Sequence, residues 1–424
     1  MNPSPSILVL SGVRGDTRRY RTVHPYEQLR LLGVDAELSH ISDPHLRRKA
    51  HRAGVVIIHR SPWDRQVAWL VSEIGRRQGL LIQDTDDLIF DPAIFRYIDS
   101  PDFADPVRAA LYQEDLRRNR RTLDACHAVT ASTEFLAGHV RTLGKPAWVH
   151  RNAFSIEMLA LSETAYRQRH PGDSIVIGYA SGTPTHNRDF ALARPALQAI
   201  MQRYPQTELH LLGSLDPGDG WGELASHIVC HARVPWRQLP GLMASFDINL
   251  APLRGDNPFG QSKSEIKYVE AALLRLPTVA SPTAAFQSAI RSGENGFLAA
   301  DEDWYAPLEA LVVNAELRQK IGRLAYQHVM RYYHPRVRAE ELAATLQAIS
   351  QAVREKRLWP ELPGAPEESA LAHYQTPAQH ERSPSLLRLG WHNLCARGPR
   401  TLLLQGWVFF RRLLAPIVPY RRHD

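Results

Sequence analysis

The first half of the chain alternates short apolar runs with amphipathic stretches. Residues 7–11, 34–41, 55–59, 80–83, 128–132 and 148–151 read as strands. Between them, residues 24–32 place Tyr26, Leu29 and Leu32 on one helical face, and residues 66–76 do the same with Val67, Leu70, Val71 and Ile74. Strands alternating with helices predict a parallel sheet covered on both faces. The same rhythm resumes after a polar segment, 162–173, that holds His170-Pro171-Gly172 and reads as a linker. Strands are predicted over 174–179, 208–213, 228–230, 247–253 and 278–281, with helices from Phe190 through Met201 towards Tyr204 and over 239–246. After Gly296 the pattern turns helical: 304–313, 316–333 and 337–353, the last carrying Leu342, Leu346 and Ile349 on one face.

Composition narrows the class. A chain of 424 residues has room for two domains with real cores, and 44% hydrophobic with 22% charged residues is the balance of a soluble globular protein. Three separated cysteines, Cys126, Cys230 and Cys395, argue for a reducing, cytoplasmic setting and against a disulfide scaffold. No basic segment precedes the apolar run at 7–10, so it reads as a first strand and not a signal peptide, and no run is long enough to span a membrane. The formal charge of +7 suits an anionic nucleotide, an anionic membrane or nucleic acid. Nucleic acid has least support, because the cations are dispersed and no reading motif is present. Residues 357–384 are proline-rich and polar, a second linker. The tail, 385–424, is apolar, aromatic and basic; it suits either an anionic membrane interface or a docking helix pair.

The candidate chemistry gathers in four loops. In residues 257–281, a Pro258/Gly260 loop runs into Ser262-x-x-Glu265, which reads as a capping box opening a helix stopped by Pro277. Lys263, Lys267 and Glu270 recur at helical spacing away from Ile266, Val269, Leu273 and Leu276. Helix amides beside Lys263 suit a phosphate or diphosphate; a solvated charged face is the plain alternative. After the first strand, residues 12–21 hold Gly12, Gly15 and Arg14, Arg18, Arg19 and Arg21, a loop that admits close backbone approach and bidentate phosphate contacts. After the fourth strand come Asp84, Asp86 and Asp87, able to bind sugar hydroxyls, orient a nucleophile, hold a divalent ion or simply cap a turn. Finally, the strand at 174–179 leads into Gly182, His186 and Arg188 before a helix, another phosphate-receiving arrangement. His186, His210, His227 and His231 show no metal-ligand spacing.

These segments resemble the retaining nucleotide-sugar glycosyltransferases of the GT-B fold, bacterial members of the group 1 or family 4 type. The resemblance is carried by 257–281, by Ile290-x-x-Gly293-Glu294-Asn295-Gly296-Phe297-Leu298 and by Leu317-Arg318-x-x-Ile321-Gly322-x-x-Ala325, and is specific over 174–335. It implies an α/β protein with two Rossmann-like domains: 1–160 on the acceptor side, a linker at 161–173, a donor domain at 174–335 and a crossover helix at 336–356. Asp84-x-Asp86-Asp87-Leu88 is similar to a strand end of many bacterial members, and Asn152 to the asparagine that closes their first domain. The family's Glu-x7-Glu pattern keeps its second member in Glu270, while Ser262 stands at the first. The resemblance implies Lys263, Arg188 and Asp86 as catalytic groups. It implies Gly12, Gly182, His186, Ser262, Ser264, Lys267 and Glu270 as donor-binding, with Trp236 near the nucleotide base, and Asp87 and Arg21 on the acceptor or sugar side. The implied activity is glycosyl transfer to a glycan or lipid-linked glycan, retaining, with a nucleotide-sugar co-substrate and neither cofactor nor metal. The implied location is cytoplasmic, peripheral to the inner membrane. A catalytically silent binding scaffold is the alternative. An NAD enzyme is disfavoured because neither half has the dinucleotide fingerprint.

Overall fold

The computed structural model describes residues 6–98, 100–170, 172–182, 186–300 and 302–356. The expected linker at 357–384 and basic tail at 385–424 lie outside the described residues.

Six strands form the first sheet: β1 (Ser6–Ser11), β2 (Ala36–His40), β3 (Ala53–His59), β4 (Leu80–Thr85), β5 (Ala128–Ala131) and β6 (Ala147–Val149), in the order β2-β1-β3-β4-β5-β6. Six more form the second: β7 (Ile175–Ser181), β8 (Thr207–Gly213), β9 (Ile228–His231), β10 (Ile248–Ala251), β11 (Thr278–Ala280) and β12 (Phe297–Leu298), in the order β12-β11-β10-β7-β8-β9. All the strand pairs are parallel. The central strands are buried on both faces, as the unbroken apolar runs of β1 and β3 require. Each sheet reverses direction from its first strand, so the loops after the carboxyl ends of β1, β3, β7 and β10 face a crevice.

The first half of residues 162–173, expected as a linker, is helical. Helix Ile156–Arg167 runs through the expected boundary, capped by the Ser155 hydroxyl at the Met158 amide. Its inner face buries Met158 and Ala165 against the second domain, and Glu163 pairs with Arg275 at 2.8 Å. Apolar contacts on one face thus outweigh the polar composition that suggested a linker.

Helix Pro335–Lys356 returns to the first domain, where Leu342, Leu346 and Ile349 pack with Ile7, Val9, Leu29, Ile57 and Ile82. The first core is completed by the last described segment of the chain, which fastens the two domains together. No helix among the described residues is long and apolar enough to cross a membrane.

Helix Ile266–Leu273 ends before Pro277. Arg275 takes a left-handed backbone (φ 55°), and Leu276 N–H returns to Ala271 O at 3.1 Å. The Arg275 guanidinium stacks on Tyr166 and Tyr326 at 3.9 and 4.1 Å, which holds this otherwise unfavourable conformation. A Cβ at Gly322 would lie 1.9 Å from Arg275 O, so helix Ala315–Tyr332 can approach the turn only without a side chain there. Gly322→Ala is therefore expected to destabilise the protein by about 1–3 kcal/mol, read as a lowered urea midpoint.

Candidate functional site

The second domain presents the start of helix Ile266–Leu273 to the interdomain crevice. Asn257 caps a separate turn, Pro258–Gln261, by accepting from the Gly260 amide at 2.9 Å. That turn takes the Ser262 and Lys263 amides onto Pro258 O and Gly260 O. The expected Ser262/Glu265 capping box is therefore not formed, and the helix starts four residues later. Glu265 turns inward instead, accepting from Tyr333 Oη at 2.6 Å and facing Arg151 at 3.3 Å. In consequence no described residue accepts from the amides of Ser264, Glu265, Ile266 or Lys267. Four open donors at a helix N-terminus make a receptor for an oxyanion.

Cations surround these amides. Lys267 reaches the Ala180 carbonyl and lies over the Tyr179 ring at 4.9 Å; burial lowers its pKa. His186 bonds Asp189 at 2.7 Å, and its pKa is lowered by burial first, with Lys267 and Lys263 adding to the effect. The two lysines and His186 thus converge electrostatically on one region. Arg188 sits in the first turn of the adjacent helix, Asn187–Arg203. Gly182 follows β7, with open space where a Cβ would project. The next three residues lie outside the described residues.

The first domain supplies carboxylates from the end of β4 and their cationic partners from the end of β3, the two strands pairing Asp84 with His59 in register. Asp86 faces Arg60 at 2.9 Å and His59 at 3.4 Å. Burial alone would raise its pKa, but Arg60 and His59 hold it well below the usual carboxylate range. Asp87 reaches across the crevice, where Lys263 Nζ donates to Oδ2 at 2.8 Å and Ser262 Oγ to Oδ1 at 3.3 Å. Asp86, Asp87, Ser262 and Lys263 are therefore brought together. Ser264 is also engaged, its hydroxyl accepting from Asn152 Nδ2 at 2.8 Å.

Two expected site residues have structural settings instead. Arg21 is fully buried in a bidentate pair with Asp84 at 2.8 and 2.6 Å, and it also bonds His150 O and Asn152 Oδ1. Its donors are committed inside the first domain, so it does not face a substrate. Gly12 serves close backbone approach, but to the protein: a Cβ would stand 2.3 Å from Arg60 O.

Glu270 meets the first domain directly. Tyr20 Oη donates to Oε1, and Arg19 lies 3.6 Å away. The Arg19 guanidinium is held 4.5 Å from both the Tyr20 and Trp236 ring centroids. Arg19, Trp236 and Glu270 line a small crevice together with Met158, Ser162 and Met243. A second ion pair joins the domains between Asp16 and Arg233 at 2.8 Å. Arg19 was read from the sequence as one of the loop arginines, whereas Tyr20, His59 and Arg60 were not singled out. Their signal was position: His59 and Arg60 stand at the carboxyl end of buried β3, and Tyr20 lies in the helical turn of the segment that leaves β1.

Two parallel Rossmann-like sheets facing across a crevice, with the C-terminal helix packed back on the first, define the GT-B architecture. Residues 188–344 match the family model described as glycosyl transferase-like. Among solved structures, the chain is similar to Anabaena HepE in complex with UDP and glucose, at 15% identity and TM-score 0.54, covering 81% of this chain and 100% of that one. It is also similar to the Thermosynechococcus elongatus sucrose-phosphate synthase (13% identity, TM-score 0.55, 82% and 100% covered). A Rickettsia africae glycosyltransferase gives 12% identity and TM-score 0.56, with 82% and 99% covered. No curated protein sequence matches the chain. The architecture is thus that of the GT-B fold, and the glycosyl transferase-like match lies on the second domain and the returning helix.

Replacing Arg21 by Met leaves Asp84 charged and buried, which costs about 3–5 kcal/mol. The expected outcome is a large fall in the urea midpoint, whereas a merely catalytic arginine would leave stability unchanged.

Proposed function

We propose that this protein moves a sugar from a nucleotide-sugar donor to a glycan or lipid-linked glycan acceptor, with retention at the anomeric carbon and without a metal. The observation that carries the reading is the set of open amides at 264–267 beside Lys263 and Lys267. In the reaction the bond from the anomeric carbon to the diphosphate oxygen breaks, and its electron pair leaves with the nucleoside diphosphate. Charge grows on that oxygen as the sugar becomes oxocarbenium-like, so preorganised donors there lower the barrier. The amides of 264–267, Lys263, Lys267 and Arg188 are the groups for this role. His186 beside them gives its Nδ1 proton to Asp189, which leaves Nε2 as an acceptor for a hydroxyl of the donor. The acceptor oxygen attacks from the face the leaving group vacates, and its proton passes to a diphosphate oxygen.

Glu270 holds the donor ribose, exchanging the Tyr20 hydroxyl for the ribose hydroxyls. Trp236 provides an aromatic wall for the base. Asp86 and Asp87 face the sugar and acceptor, and Asp87 occupies Lys263 until the donor arrives. HepE is described with UDP, with UDP and glucose, and with UDP-glucose, so uridine donors lead the set to be tried.

The test is nucleotide release from a panel of nucleotide sugars without acceptor, with melting temperature followed alongside. At least one donor is expected to raise the melting temperature, because it binds the folded state. Lys263→Ala is expected to lower release by about 10²–10³-fold. Binding with no release in either protein would instead establish a silent scaffold, and stabilisation by dinucleotides alone would overturn the donor assignment.

The basic tail at 385–424 gives this activity a membrane location through its arginines and aromatic residues. Deleting it is expected to leave donor hydrolysis intact while abolishing sedimentation with anionic liposomes; unchanged sedimentation would remove the membrane role.

A further inference from the structure

The outer edge of the second sheet, beyond the strands whose loops face the crevice, brings two histidines together. His210 lies in β8 and His231 closes β9, the edge strand. Parallel pairing sets His210 opposite Val229 and His231 opposite Leu212, so the two imidazoles share one face of the sheet on neighbouring strands. His210 Nδ1 and His231 Nε2 stand 3.3 Å apart. The geometry points to a two-histidine site for a divalent transition metal of the zinc class, with these two nitrogens as its protein ligands and water in the remaining positions. The site is independent of the glycosyl-transfer reading, and its ion takes no part in that reaction.

The nitrogen separation is that of a chelate. Two imidazole nitrogens bound to one zinc at about 2.0–2.1 Å, and at about the tetrahedral angle, lie about 3.3–3.4 Å from each other. The rings also converge. Their centroids are 5.1 Å apart and their planes 50° from parallel. A ring nitrogen lies about 1.1–1.2 Å from its ring centre, so a straight N–H···N bond of this length would hold the centroids about 5.6 Å apart. Two rings whose lone pairs meet at a common ion have them about 5.1 Å apart. The observed placement is that of two ligands aimed at one point between them.

Behind His210 stands the carboxylate that such a site needs. Glu208, two residues earlier on the same face of β8, holds His210 Nε2 through Oε2 at 3.1 Å, and its Oε1 accepts from Ser174 Oγ at 2.7 Å. These bonds orient the carboxylate and place the His210 proton on Nε2, which leaves the Nδ1 lone pair directed towards His231. A metal-binding imidazole commonly gives its other N–H to a carboxylate, which fixes the ring and raises its basicity. The Phe246 ring, edge-on at 6.3 Å, packs against His210 as well.

Among the described residues no group of three or more histidine, cysteine, aspartate or glutamate side chains could hold a metal, so solvent completes the shell. Imidazole ligands select zinc, copper or nickel over magnesium or calcium. Alternation along β9 turns Cys230 to the opposite face from His231, so the thiol is not a ligand. An ion held here ties the edge strand to β8 just before residues 232–236, whose Arg233 and Trp236 meet Asp16 and Arg19 of the first domain.

The experiment is a calorimetric titration of the full chain, carrying no polyhistidine tag, with zinc chloride. One ion per chain is expected, and excess magnesium is expected not to displace it. His231→Gln and His210→Gln are each expected to weaken zinc binding by at least about tenfold, and Glu208→Gln by about 10–100-fold. Cys230→Ser, and His45→Ala on the exposed surface of the first domain, are expected to leave it unchanged. A second readout needs no variant: histidine modification by diethyl pyrocarbonate, mapped by peptide mass spectrometry. Saturating zinc is expected to protect His210 and His231 and to leave His45 as reactive as before. No zinc binding by the parent protein, unchanged binding in His231→Gln, loss of binding in Cys230→Ser, displacement by magnesium, or protection confined to other histidines would overturn the site.

Discussion

One ion pair crosses the crevice at its most charged point: the Lys263 ammonium of the second domain against the Asp87 carboxylate of the first, at 2.8 Å. Much of the site follows from what that pair does. A lysine beside open helix amides is an anion receptor, and in this structure the anion nearest it belongs to the protein. The same pattern recurs along the crevice. Glu270 is held by Tyr20 and Arg19, Ser264 by Asn152, and Glu265 by Arg151. Groups of the second domain that could grip a donor are thus satisfied by first-domain residues. A nucleotide sugar that binds there replaces contacts already present, and both domains take part in the exchange.

Such exchange requires firm surroundings. Arg21 and Asp84, buried and bidentate, fix the start of the first-domain helices relative to β4. Thr130 adds a hydroxyl to the same carboxylate at 2.7 Å. The loop carrying Asp86 and Asp87 therefore leaves a strand end that cannot shift without stranding a buried charge. On the other side, the packing of Gly322 against Arg275 fixes the far end of the helix whose start receives the anion. Helix Pro335–Lys356 then unites the halves through the apolar contacts of Leu342, Leu346 and Ile349. The charged crevice is small beside these cores, and its geometry is inherited from them.

The architecture was legible in the sequence because alternation of apolar runs and helical faces survives without knowledge of contacts. The six strands of the first sheet and the returning helix were all visible in this way. The start of helix Ile266–Leu273 was misplaced because two helix-opening signals lie side by side: Asn257 with Pro258 took the first turn, and the Ser262 hydroxyl turned to Phe259 O and Asp87 instead of capping. Arg21 and the other loop arginines look alike in sequence. What distinguishes Arg21 is Asp84, 63 residues away, and only folding brings them together. The pairing of Tyr20 with Glu270, 250 residues apart, escaped notice for the same reason. Polar composition suggested a linker at 162–173, but apolar side chains on one helical face carry a helix through Arg167.

The account makes Asp87 a rival of the donor diphosphate for Lys263, and this is open to a direct measurement. Asp87→Asn removes the rival charge while leaving a side chain of the same shape. The UDP dissociation constant of that variant, measured by calorimetry against the parent protein, is predicted to fall several-fold because Lys263 and the neighbouring amides are freed for the diphosphate. An unchanged or weaker affinity would contradict the claim that the diphosphate takes the place Asp87 holds.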